Sequence, residues 1–273
     1  MSLVNTDWVE KNIGNLKIID CSWHMPNEKR DGYKEYLKEH IENAIFFDLD
    51  KNSNQFTDLP HMLTNISDWE KIVSQMGIAK NDEIVIYDNS DVLSSCRCWY
   101  NFIYFGHNYK LVHVLNGGLK KWKSENKPTT DIILKVNPTK YNASERKNLV
   151  KNINQINQNI NTKKFKVVDA RSKERFEGKI KEPRKGLRGG SIPESVCIPF
   201  KNLINEDNTF KNENEILNVF KNTLEGKITT NIVFSCGSGV TAAVLALAYS
   251  LINNKYMPTI YDGSWAEYGK IKI

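Results

Sequence analysis

Cys236 heads the stretch Cys236-Gly237-Ser238-Gly239-Val240-Thr241. A thiol acts as a nucleophile through its thiolate, and thiolates are stabilised where backbone N–H groups and the positive end of a helix converge. The flanking residues describe such a place. Ile232, Val233 and Phe234 form a short apolar, β-rich run, expected to be a buried strand. The loop with two glycines follows. Ala242 to Leu251 is then Ala/Leu-rich and nearly all apolar, expected to be a buried helix. Strand, glycine loop and helix together aim the loop amides at the sulfur of Cys236. A lone cysteine at a strand end is ordinarily a small buried hydrophobe. Two glycines and two hydroxyl residues directly after it favour a reactive cysteine. The helix falls short of the ~20 apolar residues needed to span a bilayer.

The chain that must hold this loop has 273 residues, enough for one large domain or two of ordinary size. With 40% hydrophobic and 26% charged residues it is expected to be a soluble globular protein with a real core. The net charge is +6, and the lysines are interleaved with Glu, Asp and Asn. That pattern fits a solvated surface better than a nucleic-acid face, so no nucleic acid and no membrane is expected as a partner. A mild positive field would also favour a small anionic substrate. The five cysteines, Cys21, Cys96, Cys98, Cys197 and Cys236, make no disulfide or zinc framework. Cys96 and Cys98 would point to different faces of a helix, so no metal and no cofactor is expected. No signal-like apolar run opens the chain, and a reducing cytoplasm is the expected compartment.

The order of elements occurs twice. Lys17-Ile18-Ile19-Asp20 matches Lys166-Val167-Val168-Asp169, and Glu83 to Asp88 matches Asn231 to Cys236. Asn43 to Asn52 matches Glu194 to Asn202, and the strand and Gly turn at 113–118 match Thr259 to Ser264. The offsets, 149 from Asp20 to Asp169 and 148 from Asp88 to Cys236, mean duplication at domain scale. Strands alternating with helices predict an α/β fold: two domains, each a parallel-rich sheet with helices on both faces. The expected boundaries are 1–126, a Pro/Asn/Thr linker over 127–147 crossing the surface of both domains, and 148–273. Within the first domain, residues 44–50 are expected as a strand ending in acids. A helix is expected over 67–76 with Ser67 as N-cap, and another over 92–105. Asp88 stands where the second copy has Cys236, and Asn89-Ser90-Asp91 lacks glycine. The first domain is therefore expected to have the fold without the chemistry.

These residues resemble the tandem-domain rhodanese-like sulfurtransferases over nearly the full length of the chain. The stretches that carry the resemblance are VVDARS (167–172), RFEG (175–178), EPRKGLRGG (182–190), FFDLD (46–50), LPHML (59–63) and the aromatic run 99–107. The loop CGSGVT is similar to that of members acting on 3-mercaptopyruvate. The sequence departs from the family pattern at Gly190-Ser191-Ile192-Pro193-Glu194, at His40-Ile41-Glu42-Asn43 and at Thr64. The resemblance implies that Cys236 takes sulfur from 3-mercaptopyruvate as a persulfide, releases pyruvate, and passes the sulfur to thioredoxin, another small thiol or cyanide. It implies that Arg175 and Arg184 bind the donor carboxylate, and that the amides of Gly237 to Thr241, including Gly239 and Val240, hold the charged sulfur. It also implies a proton relay of Ser238, His61 and Asp50. On the residues alone, His61 could equally be a packed loop histidine. Arg171 is expected to brace structure, and Arg188 is a weaker electrostatic candidate.

A thiosulfate sulfurtransferase is the nearest alternative. Loops of that kind typically carry two cations after the cysteine, where this chain has Gly237 and Ser238. A cysteine-dependent phosphatase needs an arginine where this chain has Ala242, and is rejected. A non-catalytic docking or sensing module is disfavoured by the intact cysteine loop.

Overall fold

The computed structural model describes residues 2–271. They form two compact units. The first takes the chain up to Gln55, Leu63–Arg146 and Glu206–Thr209; the second takes Phe56–Met62, Lys147–Asn205 and Phe210 onward.

The first unit is built on strands β1 (Leu3–Val4), β2 (Lys17–Asp20), β3 (Ala44–Phe46), β4 (Ile84–Tyr87) and β5 (Val112–Leu115), in the order β1-β5-β4-β2-β3. Every pairing is parallel. Runs such as Ile84-Val85-Ile86 are buried throughout, as strands covered on both faces must be. Side chains alternate across the sheet. Ile18, Val85, Tyr87 and Leu115 share one core with Val9, Tyr36 and Trp122 from the helices Thr6–Asn12, Gly32–Lys38 and Gly118–Ser124. The helix Ser95–Tyr104 packs against β4 and β5, and its Phe102 meets Trp69 of the helix Ile66–Gln75 edge to face at 5.0 Å.

Three expected boundaries shift here for local reasons. The strand expected over 44–50 ends at Phe46. Asp48 then accepts the N–H of Lys51, so the acids close a turn. The helix expected from Ser67 starts at Ile66, because the Asn65 side chain takes the N–H of Asp68. The helix expected from 92 starts at Ser95, because the buried Asp88 carboxylate accepts the N–H groups of Ser90 and Ser95 and holds 89–94 as a turn. Residues 127–146 run as an extended strap along this unit. Thr139 N–H bonds the Ser74 carbonyl, Ser144 N–H that of Phe105, and Arg146 N–H that of Tyr104.

The second unit repeats the topology with β6 (Val150–Lys151), β7 (Lys166–Asp169), β8 (Val196–Cys197), β9 (Ile232–Ser235) and β10 (Ile260–Tyr261), in the order β6-β10-β9-β7-β8. All pairings are again parallel. Val167, Val233 and Tyr261 form a core with Ile156 and Trp265. The helix Val240–Ile252 packs on β9 and is buried from Val240 to Tyr249 apart from Thr241, as a helix apolar on all sides should be. Among the described residues no helix is long and apolar enough to cross a membrane.

The two copies diverge beside the same buried aspartate. Asp169 in β7 is gripped by the Arg171 guanidinium, with Nη2 to Oδ2 at 2.7 Å. In β2 the matching Asp20 has Ser22 at the position of Arg171, whose N–H bonds Oδ1. Without a cation, burial pushes the Asp20 carboxyl up to about 7.

Candidate active site at the cysteine loop

β9 ends at Ser235, so Cys236 is the first residue beyond the carboxyl end of a central strand. It is 1% exposed. The loop returns into the helix Val240–Ile252 through Gly239 at φ +81°, a conformation that glycine adopts without a Cβ clash. The backbone of the loop is clamped from the chain segment after β10. Ser264 Oγ accepts the N–H of Cys236 at 3.1 Å. Trp265 and Ala266 donate their N–H groups to the carbonyls of Cys236 and Gly237, each at 2.9 Å. With its carbonyls turned back into the fold, the loop leads into the helix's first turn, where the unsatisfied N–H groups lie. Val240 is buried and Thr241 half-buried at that turn.

Arg175 and Arg184 both reach this loop. A Cβ built on Gly237 would lie 3.3 Å from Arg175 Nη2 and 3.5 Å from Arg184 Nη1. Arg175 is carried on the short helix Lys173–Phe176, capped by Ser172, directly after β7. Arg184 comes from the loop 182–190, which is tied down at its far end. Arg188 N–H bonds the Gly269 carbonyl, and Ile271 N–H that of Gly186. Two guanidiniums thus lie beside the residue that follows the cysteine.

Ser238 is buried at 5% exposure, and its Oγ lies 2.9 Å from His61 Nδ1 and 3.3 Å from Arg184 Nη2. The hydroxyl can accept from Arg184 while donating to an imidazole that carries its proton on Nε2. His61 is 4% exposed and sits at φ +59°, an uncommon backbone state for a non-glycine residue. Although it comes early in the chain, His61 lies in the Phe56–Met62 segment of the second unit. Asp50 belongs to the first unit, where its Oδ2 accepts the Trp23 indole N–H at 2.9 Å.

Arg171 is a brace, with its guanidinium fully buried between Asp169 and Glu182 and 4.3 Å above the Trp265 ring. Arg188 is exposed and stacks on the same ring, with its guanidinium 4.6 Å from the ring centroid. Reasoning from sequence missed Ser264 and Trp265, and also Glu182, which pairs with Arg175. Glu182 had a signal, since it opens the same EPR run that singles out Arg184. Burial raises Cys21 and Cys96 well above the usual thiol range and pushes Cys197 up to about 12. Among the described residues no three His, Cys, Asp or Glu side chains gather as a metal-ligand set.

Comparison with known proteins matches the Rhodanese-like domain to residues 5–125 and again to residues 152–270. Thiosulfate/3-mercaptopyruvate sulfurtransferase 1, mitochondrial, of Arabidopsis thaliana is 37% identical over 289 residues, covering 97% of this chain and 75% of its own. The 3-mercaptopyruvate sulfurtransferase of Mus musculus is 35% identical, covering 98% of this chain and 91% of its own. The crystal structure of SseA from Escherichia coli, with the rhodanese fold, superposes with a TM-score of 0.85 at 28% identity, covering 98% of this chain and 100% of that one.

Proposed function

Because the chain belongs to the rhodanese-like sulfurtransferases and carries their domain twice, we propose that it moves the sulfur of 3-mercaptopyruvate through a Cys236 persulfide to a thiol or cyanide acceptor. The Cys236 thiolate attacks the donor sulfur. The carbon–sulfur bond breaks, its electron pair leaves as the pyruvate enolate, and one proton converts the enolate to pyruvate. Cys236 keeps the sulfur as a persulfide. An acceptor thiolate then attacks the outer sulfur, and the Cys236 thiolate returns. The amides of residues 237–241 stabilise the charged sulfur in both steps.

The reading rests most on the two guanidiniums meeting at Gly237, beside the cysteine. A guanidinium fork suits a carboxylate, and 3-mercaptopyruvate presents its carboxylate a short distance from the sulfur it gives up. Ser238 and His61, 2.9 Å apart, are the groups to hand a proton to the enolate. Thiosulfate is a second donor, since any anion with a transferable outer sulfur meets the same two cations. The Arabidopsis relative is named for both donors. The small side chains at 237 and 238 favour the mercaptopyruvate monoanion over the thiosulfate dianion.

The test is a mass measurement on Cys236 after exposure to each donor, beside steady-state rates with both. One added sulfur on Cys236 and pyruvate release are expected, both lost in Cys236→Ser. Serine at Cys21, Cys96, Cys98 or Cys197 should leave activity largely intact. Full turnover by Cys236→Ser would end the persulfide mechanism.

A further inference from the structure

Arg175 does not reach the loop unaided. Its Nη2 donates to Glu182 Oε2 at 2.6 Å and its Nε to Oε1 at 3.2 Å, a two-point ion pair. The Glu182 side chain is 1% exposed, and its Oε1 also accepts from Arg171 Nη1 at 2.8 Å. Arg171 is fully buried and anchored in turn to Asp169 of β7 and to the Gly190 carbonyl. The row Asp169–Arg171–Glu182–Arg175 thus runs from a central strand to the rim of the cysteine loop.

We propose that Glu182 is the positioning residue that fixes Arg175 for the donor; this rests on the donor-binding role of Arg175 given above. Arg175 stands on a helix of only four residues and its side chain is 19% exposed. A long side chain so placed loses considerable rotamer freedom on ordering. The Glu182 carboxylate pins two of its three nitrogens, and Nη1 has no hydrogen-bond partner among the described residues. Nη2, the nitrogen held at 2.6 Å by Glu182, is also the one nearest Gly237. Glu182 therefore sets where the Arg175 charge lies before the donor arrives, and its loss should weaken donor binding more than it slows the chemical step.

The experiment is a double-mutant cycle on the full chain, with KM and kcat for 3-mercaptopyruvate in wild type, Glu182→Gln, Arg175→Ala and the double variant. Gln keeps the shape but puts an NH2 where an oxygen accepts an arginine N–H, while Arg171 keeps Asp169 as its counter-charge, so thermal unfolding is measured alongside to show that the variant is folded. Glu182→Gln should raise KM about tenfold with kcat within about threefold, and add less than about twofold in the Arg175→Ala background. Glu182→Asp, with the charge kept but the carboxylate one methylene back, should give a KM between the two, and takes the place of Gln in the cycle if Gln impairs folding. An equal rise in KM in both backgrounds would overturn the proposal, since Glu182 would then act on the fold and not on Arg175. So would a wild-type KM for Glu182→Gln beside a raised KM for Arg175→Ala. A wild-type KM for Arg175→Ala would overturn the donor-binding role itself.

Discussion

Adding one methyl group at Gly237 probes the meeting point of Arg175 and Arg184 without replacing either arginine. Gly237 does not have a positive φ, so alanine fits the backbone there. Its Cβ would lie 3.3 Å from Arg175 Nη2 and 3.5 Å from Arg184 Nη1. Those contacts are tight but not clashing, and the methyl would occupy the volume through which the guanidiniums face the donor. Arg175 cannot swing aside freely, because Glu182 holds it at two points. Displacing one charge-assisted hydrogen bond to the donor costs ~1.5–3 kcal/mol, a loss of roughly 10- to 150-fold in kcat/KM. Stability should change little, or rise by ~0.4–1 kcal/mol as the unfolded chain loses freedom. Initial rates of pyruvate release over a range of 3-mercaptopyruvate concentrations measure the first effect, and thermal unfolding the second. At saturating donor the Cys236 persulfide should still form, because the nucleophile is unchanged. A Gly237→Ala enzyme with kcat/KM within about threefold of wild type would refute the placement of the donor carboxylate in front of Arg175 and Arg184.

The proposed relay through the His61–Ser238 bond predicts that His61→Ala lowers kcat with a modest change in KM and alters the pH profile of kcat; an unchanged kcat and pH profile would leave His61 a packing residue. Asp20→Asn should change the pH dependence of stability. The folded carboxyl is raised from 3.8 to about 7, so the native state keeps a proton that the unfolded chain has already released. The stability this proton contributes is complete below about pH 4 and is lost as the pH climbs to about 7, up to about 4 kcal/mol in all. Asparagine does not titrate, so the variant should gain on wild type through that window in urea unfolding at stepped pH. A constant difference between the two proteins would show that Asp20 is already ionised in the folded state.

Much of this was legible in the chain because it rests on local chemistry. The apolar runs at 17–20, 84–87, 166–169 and 232–235 are strands in the structure, and their repetition reveals two parallel-sheet units. The loop after β9 was readable because its glycines sit between a strand and an apolar helix. Errors of a few residues arose where a side chain competes with a propensity, as when Asp88 takes the N–H groups that would otherwise start a helix early. What could not be read is long-range pairing. Nothing near Cys236 in sequence announces that Ser264 holds its amide, and the EPR run that marks Glu182 does not say that its partner is Arg175. That Arg171 braces structure was legible from its place after a strand; that its partners are Asp169 and Glu182 was not.

The membership of the two units carries a consequence for inheritance. The second unit, which holds Cys236, takes residues 56–62 and their histidine from the front of the chain; the first takes 206–209 from the back. A gene cut between the duplicated halves would give two polypeptides, each missing a piece of its own body, and the cysteine-bearing one would have no His61. Residues 56–62 are thus translated with one half of the repeat and fold with the other.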